Sequence, residues 1–484
     1  MRTEVAAPTT ATATSRVRAA VVLLSGAAVL ALAVRLPFGY AGLSMDEGGY
    51  AYVARRWARG TTLYRDAWLD RPQGLLLAYR GLLAVADAAW TVRVGAALCG
   101  ALLTVALGIA GWLLAGRRVG VIAAATYAIV GVAPHLEGFT LNGELLASVP
   151  ATAAVAAALG WWRTRRPGWL LAAGLAAGAA VTMKQSGVDG GIACLAVLLV
   201  ADSSWRQRIR HAGLVAAGAL VPVGASVLHG GSVGLRAYWH ALGGYQLAAA
   251  GGIDRGHMFL ASLPRVGLDL AVLVAVAAVG GYALRRRRAA LVVAVAWLGG
   301  ATLGAALGGS WWPHYYVQLV PPLVLLVAVG VAHPPLRRGV LFGAVAVLPT
   351  VVWLLALVPM TPTHRHHVVP YYRRAVVDQH VAAAVRAETQ PHQQIYVLAS
   401  EANVYFLADR DTTYPYLWGM PMRKIPDALP RLRALLDRPG RPVLVLLYAA
   451  PDDVDPSGRL GDVLAAHYRP ERTVDGIPFL RAST

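Results

Sequence analysis

Residues 18–50 read RAAVVLLSGAAVLALAVRLPFGYAGLSMDEGGY, an apolar segment that runs into two acids, Asp46 and Glu47. The apolar part, 18–36, has about the length of a helix that crosses a hydrocarbon core. It lacks a clear small-residue cleavage site, so we interpret it as a retained span rather than a signal peptide. Acids at a membrane cavity are usually functional. The stretch therefore predicts a membrane protein with a functional residue just after its first span.

The composition agrees with a membrane protein. The 484 residues are 57% hydrophobic and only 14% charged. A soluble protein of this length could not bury so much apolar surface in its core. The net charge of +19 comes from arginine clusters between apolar runs. This argues against a nucleic-acid partner because no continuous basic face results. Cys99 and Cys194 lie inside apolar runs and form no disulfide or zinc pattern.

Ten further apolar segments follow the first, and we predict about eleven spans. The ten segments are 92–115, 119–134, 144–161, 168–183, 187–201, 212–228, 263–283, 289–308, 316–332 and 339–358. The arginine clusters fall on alternate connections, at Arg16/Arg18, Arg117/Arg118, Arg163/Arg165/Arg166, Arg206/Arg208/Arg210, Arg285–Arg288 and Arg337/Arg338. By the positive-inside rule these connections are cytoplasmic. The N-terminus is then predicted inside, and the region after about residue 360 outside, the cytoplasm.

The predicted fold class is mainly α, a polytopic transmembrane helical bundle with a small C-terminal extracytoplasmic α/β domain. Residues 1–15 are predicted as a disordered cytoplasmic tail, and 16–359 as the transmembrane domain. Within it, the first outer loop, 37–91, carries juxtamembrane helices. The aromatic outer loop 229–262 contains glycine pairs and is predicted as a mobile lid.

Residues 360–484 are mixed in character and have the size of a small domain. Strand-like runs occur at 394–399 and 442–448, and helix-like stretches at 373–387, 427–437 and 459–467. This domain is predicted to bind an acceptor or to cover a cavity.

The topology gathers acids, histidines and other polar residues on the outer side. They are Asp46, Glu47, Asp70, Arg71, His135, Glu137, Asn142, Glu144, Lys184, His240, Arg255, His257 and His314. The inner connections are short and mostly arginine, so any chemistry is expected outside the cytoplasm. Nucleotide sugars and ATP are not available there, and an energy-rich donor would arrive attached to a lipid.

Each of these residues also has a purely structural interpretation. Ser44 and Glu47 have capping-box spacing, which explains Glu47 well and Asp46 poorly. Asp70 and Arg71 could form an ion pair ahead of a helix that begins at proline. Both interpretations stay open at this point.

Asn142, Glu144 and the first lysine are equally ambiguous. Asn142 and Glu144 could cap the fourth span and complement its dipole. Lys184 could extend to the lipid headgroups, although the run Lys184-Gln185-Ser186-Gly187 is polar enough to line a cavity.

Taken together, these motifs resemble the GT-C membrane glycosyltransferases, in the branch that contains protein O-mannosyltransferases and lipid A aminoarabinose transferases (ArnT-like). The resemblance rests on an Asp-Glu pair in the first outer loop, Asp70-Arg71-Pro72, the Lys-Gln-x-Gly step at 184–187, and the run HYYVQLVPP at 314–322. The layout covers the whole chain, while the motifs occupy a small part of it. One departure is Pro72-Gln73 where the family usually has Pro-Pro.

The resemblance implies a polyprenyl-phosphate-linked sugar as donor and an acceptor hydroxyl outside the cytoplasm. Asp46 would act as catalytic base, with Glu47 supporting it. Asp70, Arg71, Lys184, His314 and Tyr315 would bind the donor phosphate or sugar. Apart from the resemblance, Asn142, Glu144, Arg255 and His257 are candidates for the acceptor or the lid. A divalent metal ion is left open, with Asp46 and Asp70 as candidate ligands.

The predicted function is therefore sugar transfer in the synthesis of a cell-envelope glycan, glycolipid or glycoprotein, by a multi-pass protein of the cell (plasma) membrane. Its predicted partners are the lipid-linked donor, a lipid, glycan or protein acceptor and the bilayer, with no nucleic acid. A lipid or sugar transporter or flippase is the alternative; it predicts internal repeats and charges near mid-membrane, and neither is evident. A non-catalytic scaffold would leave the one-sided acids unexplained.

Overall fold

The computed structural model describes residues 10–39, 42–201, 204–251, 254–333, 335–361, 364–365, 368–369 and 372–483. Long apolar helices form a bundle, and a small α/β domain follows it. The predicted architecture, a mainly α bundle followed by a small α/β domain, is confirmed, while the extracytoplasmic placement of that domain stays a prediction. The lower-numbered helices of the bundle are α1 (Thr10–Ala33), α2 (Met45–Ala58), α3 (Gln73–Val85), α4 (Ala89–Ala115), α5 (Arg117–Val130), α6 (Gly143–Thr164), α7 (Gly168–Met183) and α8 (Asp189–Ala201).

The rest of the bundle consists of further helices and one 3-10 segment. They are α9 (Trp205–Trp239), α10 (Tyr245–Ala250), α11 (Arg255–Leu284), α12 (Arg288–Leu307), the 3-10 helix Pro313–Leu319, α13 (Val320–Ala332) and α14 (Leu336–Leu357). The disordered tail predicted for 1–15 is described only from residue 10, and residues 10–15 belong to α1.

Each of the eleven predicted spans falls on a helix, but the count of eleven is not confirmed. Eight helical segments among the described residues are long and apolar enough to cross a membrane. The helix α5 has 14 residues, α7 has 16 residues, and α8 has 13 residues. All three are shorter than the roughly 20 residues that a crossing needs.

The prediction of a loop over 229–262 is wrong in its secondary structure. α9 continues to Trp239, a π-helical turn follows at His240–Gly244, and α10 leads toward α11. The glycine pair at 243–244 lies in the π-helical turn, because a glycine costs a helix only about 1 kcal/mol and apolar neighbours extend the helical pattern. Gly234, with a φ of 117°, kinks α9. Whether this segment moves as a lid stays a prediction.

Small residues let the bundle helices approach closely. A Cβ at Gly174 of α7 would overlap the carbonyl oxygen of Val215 in α9, and one at Gly280 of α11 would overlap that of Leu326 in α13. Small interface residues are the usual means of packing helices in lipid, where the hydrophobic effect gives no drive between helices. The most buried spans are α6 and the 313–332 segment, which therefore form the centre of the bundle.

The C-terminal domain combines helices with one sheet. The helices are α15 (Tyr372–Glu388), α16 (Asn403–Ala408), α17 (Gly419–Lys424), α18 (Ala428–Asp437), α19 (Pro451–Val454) and α20 (Arg459–His467), and the strands are β1 (Ile395–Leu398), β2 (Leu444–Leu447), β3 (Tyr468–Val474) and β4 (Ile477–Ala482). The strand order is β1-β2-β4-β3, with β1 and β2 parallel and the other pairs antiparallel. Both predicted strands and all three predicted helices are present, while β3 and β4 were missed.

This domain packs directly on α2. A Cβ at Gly48 would overlap that of Asn403, and one at Gly49 would lie 2.5 Å from the Trp418 ring, so only glycine permits the contact. Arg55 of α2 donates to Asp409 at 3.0 Å and stacks on Phe406, with its guanidinium 4.0 Å from the ring centre. The first loop and the C-terminal domain therefore form one continuous body at the end of the bundle.

Candidate functional site

The site is built around the start of α2. Ser44 caps this helix: its hydroxyl accepts from the Glu47 amide at 3.3 Å, and the Glu47 carboxylate accepts from the Ser44 amide at 3.0 Å. This is the capping box that the Ser-x-x-Glu spacing predicts. It fixes the first turn of α2 and so fixes Asp46, which lies in that turn.

Glu47 is fully buried and is held by its own partners. One carboxylate oxygen accepts from Arg93 of α4 and from the Leu141 amide, each at 2.8 Å, while the other completes the capping box. All of these contacts join α2, α4 and the connection before α6. They are the contacts of an anchor, and the catalytic support expected from Glu47 stays a prediction.

Asp46 is only half-buried, and one of its oxygens is available. Oδ1 accepts from the indole Nε1 of Trp418 at 3.0 Å, and no hydrogen bond to Oδ2 occurs among the described residues. Burial raises the pKa of Asp46 above the ordinary carboxyl value, although the nearby His314 and Arg71 and the Trp418 hydrogen bond act in the opposite direction. A carboxylate made more basic in this way suits proton acceptance.

Asp70 and Arg71 precede α3 and form a close ion pair of 2.5 Å. Two side-chain amides hold Asp70 in place. Gln246 of α10 donates to the Asp70 carboxylate at 2.8 Å, and Gln185 donates to the Asp70 backbone carbonyl at 2.7 Å. Arg71 uses only Nη1 in this pairing, and its other guanidinium N–H groups have no partner within the described part of the chain. They can therefore donate to an added anion.

Glu144 and Lys184 form a buried ion pair between α6 and the end of α7. The Lys184 ammonium also lies over the ring of Tyr315, 4.1 Å from its centre. The lysine therefore faces inward and does not extend to the headgroups. Glu144 stands in the first turn of α6, as the dipole interpretation expects, and its carboxylate also pairs with Lys184.

His314 connects the 3-10 helix to the same cluster. Its Nδ1 lies 3.1 Å from Oε2 of Glu137, and its Nε2 lies 4.0 Å from Glu144. Glu137 has a φ of 55°, and non-glycine residues rarely adopt this backbone conformation. Its second oxygen, Oε1, is buried without a hydrogen-bond partner among the described residues. A buried carboxylate oxygen without a partner is costly, so this position needs an explanation beyond packing.

These groups lie close enough for their charges to influence one another, so they form one candidate site. His314, Arg71 and Glu144 all influence Asp46, and Arg71 and Asp70 influence Lys184. Tyr50, one turn after Asp46, lies within reach of most of these charges, and burial raises its pKa well above that of free tyrosine. Cations interleaved with carboxylates in this way can hold a phosphate while a carboxylate remains near the reacting hydroxyl.

The remaining predicted site residues lie at the edge of this cluster or serve the backbone. Asn142 is the cap of α6: its Oδ1 accepts from the Leu145 amide at 2.8 Å. Arg255 and His257 are exposed at the start of α11, and the Arg255 side chain approaches Gly309 in the connection before His314. Their predicted acceptor or lid role stays a prediction.

For a metal ion, the described residues offer no group of three or more His, Cys, Asp or Glu side chains in ligand geometry. Asp46 accepts from Trp418 through Oδ1 alone, and the Asp70 carboxylate is held by Arg71 and Gln246. A metal role for Asp46 and Asp70 stays a prediction.

Sequence reasoning missed site contacts made by residues that lie far away in the chain. Trp418 contacts Asp46 across 372 positions, and Gln246 comes from the segment predicted as a loop. No local pattern signals either contact. Glu137 stood among the outer-side acids, but its strained backbone and pairing with His314 had no sequence signal.

Comparison with known proteins points to a family and to a fold. Residues 70–227 match the model of the dolichyl-phosphate-mannose-protein mannosyltransferase family. The matched range contains Asp70, Arg71, Glu144 and Lys184. Among proteins with curated descriptions, none matches the chain significantly.

Solved structures with the same fold include ArnT from Cupriavidus metallidurans bound to undecaprenyl phosphate. The match has a TM-score of 0.64 at 14% identity and covers 95% of this chain and 97% of ArnT. The apo form of that protein gives a TM-score of 0.64 at 15% identity, covering 97% of this chain and 98% of that one. The apo oligosaccharyltransferase of Archaeoglobus fulgidus gives 0.52 at 13% identity and covers 81% of this chain and 64% of that one. The chain therefore has the GT-C fold, and the predicted resemblance to the mannosyltransferase and ArnT-like branch is confirmed.

Proposed function

We propose that this chain is an integral-membrane glycosyltransferase that moves a sugar from a polyprenyl-phosphate donor to an acceptor hydroxyl on the extracytoplasmic side. The observation that carries the proposal is the convergence of Asp46, the Asp70–Arg71 pair, the Glu144–Lys184 pair and His314 at one end of a GT-C fold. The undecaprenyl phosphate bound to ArnT supports a lipid-linked donor.

Arg71 and Lys184 are the groups that would hold the donor phosphate. The unpaired guanidinium N–H groups of Arg71 can grip two phosphate oxygens at once, which a lysine cannot do. Lys184 is already neutralised by Glu144, so it would add a second, weaker contact from the other side. When the sugar–phosphate bond breaks, negative charge grows on the departing phosphate, and fixed cations in a site of low dielectric constant stabilise that charge.

Asp46 would act as the base. The acceptor hydroxyl oxygen attacks the anomeric carbon, the bond from that carbon to the phosphate oxygen breaks, and the lipid phosphate leaves with the electron pair. Asp46 Oδ2 takes the hydroxyl proton. One such displacement inverts the configuration at the anomeric carbon. The raised pKa of Asp46 makes it a better proton acceptor than an ordinary carboxylate.

Glu137 and His314 would orient the donor side of the site. The Glu137 carboxylate fixes the His314 ring through Nδ1, which directs Nε2 toward Glu144. Tyr315 packs against Lys184 and provides an apolar wall for the sugar ring.

The membrane placement follows the arginine distribution. With the arginine-rich connections in the cytoplasm, the site and the C-terminal domain would lie on the extracytoplasmic side. Acceptors available there are lipids, glycans and secreted proteins. The transporter alternative gains no support from the site, because its charges are gathered at one end of the bundle.

The test is transfer of radiolabelled sugar by purified protein in detergent with native lipids, from a panel of polyprenyl-phosphate sugars. Asp46→Asn should abolish transfer with every donor while the protein remains folded. Asp66→Asn is the matched control, because Asp66 is an exposed acid of the same loop with no side-chain partner described.

Two results would overturn the proposal. Transfer by Asp46→Asn at the wild-type rate would remove the base, and an absence of transfer with every polyprenyl-phosphate sugar would remove the donor class. Loss of activity in Asp66→Asn as well would point to disturbance of the loop rather than to chemistry.

A further inference from the structure

A large groove lies at the end of the bundle opposite the site. Its volume is about 830 Å³, in the range of ligand-binding cavities. It is formed by the first half of α1, the start of α5, the end of α13 and the first half of α14. Its wall is apolar, with Leu23, Val121, Ile122, Val331 and Val340 among its residues.

Two arginines lie at the exposed edge of the groove. Arg117 and Arg118 line it from the first turn of α5, and both are exposed. Arg337 and Arg338 lie between the lining residues Leu336 and Gly339 of α14. Topology accounts for arginines at this end of the bundle, but it does not require that they edge an apolar groove.

No protein carboxylate balances this charge within the elements that form the groove. The described parts of α1, α5, α13 and α14 contain no Asp or Glu, although Arg117 itself has an interaction partner. Arg118, Arg337 and Arg338 have no hydrogen bond or ion pair within the described ranges. They also stand in the first turns of their helices, where the helix dipole disfavours cations and favours anions. An anion from outside the chain would therefore be attracted to this edge.

We infer that this groove binds an anionic phospholipid of the cytoplasmic leaflet, with the headgroup phosphate at Arg117 and Arg118 and an acyl chain along the apolar wall. Basic cavities between membrane helices on the cytoplasmic side take anionic headgroups of this kind. An apolar wall beside positive charge matches the boundary in a bilayer where the acyl chains meet the headgroups. The inference concerns a surface remote from the catalytic cluster and does not rest on sugar transfer.

The glycines of α14 offer a way to fill the groove. A Cβ at Gly343 would meet Val331 at 3.7 Å, an ordinary contact, so a larger side chain there has room to point into the groove. Gly339 offers no such room, because a Cβ there would overlap the Val331 carbonyl oxygen. Gly343→Leu is therefore a steric block that leaves every arginine in place.

The experiment titrates the full chain in detergent with phosphatidylglycerol or phosphatidylcholine and follows the thermal unfolding midpoint, which rises when a ligand binds only the folded state. Phosphatidylglycerol should bind more tightly than phosphatidylcholine. Arg118→Gln should weaken phosphatidylglycerol binding roughly fivefold, and Arg117→Gln/Arg118→Gln roughly 25-fold, from about 1 kcal/mol for each arginine. Gly343→Leu should weaken the binding of the acyl chain with all charges intact.

Arg206→Gln is the matched control, an exposed arginine in the first turn of α9 outside the groove. It should bind phosphatidylglycerol as the wild type does.

Equal binding of the two lipids, or equal weakening by Arg206→Gln and Arg118→Gln, would overturn the inference in favour of diffuse surface charge. Tighter binding of polyprenyl phosphate with the same sensitivity to Gly343→Leu would overturn it in favour of a carrier-lipid site. If the double arginine variant does not fold, Arg118→Gln and Gly343→Leu still decide the outcome.

Discussion

The two ends of the helical bundle handle charge in opposite ways. At the site end the buried charges are paired within the protein, as in Glu47–Arg93 and Glu144–Lys184. At the other end, Arg118 and Arg337 are exposed and have no acid partner among the described residues. A buried charge without a partner costs several kcal/mol, whereas an exposed one keeps its water or meets lipid headgroups. The difference separates charges that hold a site together from charges that interact with water or lipid headgroups at the membrane surface.

The largest expected effect on stability is at the Glu47–Arg93 pair. Arg93→Met should destabilise the protein by about 3–5 kcal/mol, because it leaves the fully buried Glu47 carboxylate without its cation. Thermal unfolding in detergent measures the loss. Glu47→Gln/Arg93→Met should recover part of it, since the double variant removes the unpaired charge. A double variant less stable than Arg93→Met would show that the pair acts by hydrogen bonding rather than charge.

Arg71 is expected to give the next largest effect, on rate rather than on stability. Arg71→Ala should lower kcat/KM about 100- to 1,000-fold, the usual cost of removing one donor to a developing anion. Arg71→Lys should fall between the wild type and Arg71→Ala, because it keeps the charge and loses the two-pronged contact. Steady-state transfer assays measure this order. Arg80→Lys, within α3 and stacked on the Trp57 ring, serves as the control.

The pH dependence of transfer should be governed by Asp46. Its pKa is raised by burial, so activity should fall as pH drops through that raised pKa, earlier than an ordinary carboxylate would predict. Trp418 donates to the ionised form and lowers the pKa, so Trp418→Phe should move the acid limb of the profile to still higher pH. The exposed Trp205→Phe should leave the profile unchanged. An unmoved acid limb in Trp418→Phe would assign that limb to another group.

At the opposite end the expected effects are small. Arg337→Gln should change the unfolding free energy by no more than about 0.5 kcal/mol, the usual range for a surface substitution. The reason is that Arg337 is exposed and has no protein partner among the described residues. Thermal unfolding in a zwitterionic detergent without added lipid is the measurement. A loss comparable with that of Arg93→Met would mean that this arginine is paired in the membrane-embedded protein.

Whether a feature could be predicted from the sequence depended on how close in the chain its interacting residues are. The capping box at Ser44 and Glu47 was readable because it spans three residues and follows from helix geometry. The 229–262 segment was misjudged because glycine pairs suggested a break, while the neighbouring apolar residues sustain helix through them. The two C-terminal strands β3 and β4 were missed because β3 is mostly exposed, with three charged residues among its seven, and β4 is only partly buried.

The sequence by itself determined that the chain crosses a membrane, which connections carry arginine and which acids stand beside them, because hydropathy and charge are local properties. Only the tertiary structure decided that Trp418 holds Asp46, that Gln246 steadies Asp70 and that Glu137 pairs with His314. Those contacts join residues from separate helices and a separate domain. Their geometry follows from close helix packing at glycines and from the need to pair buried charges, and neither is encoded in any single stretch of chain.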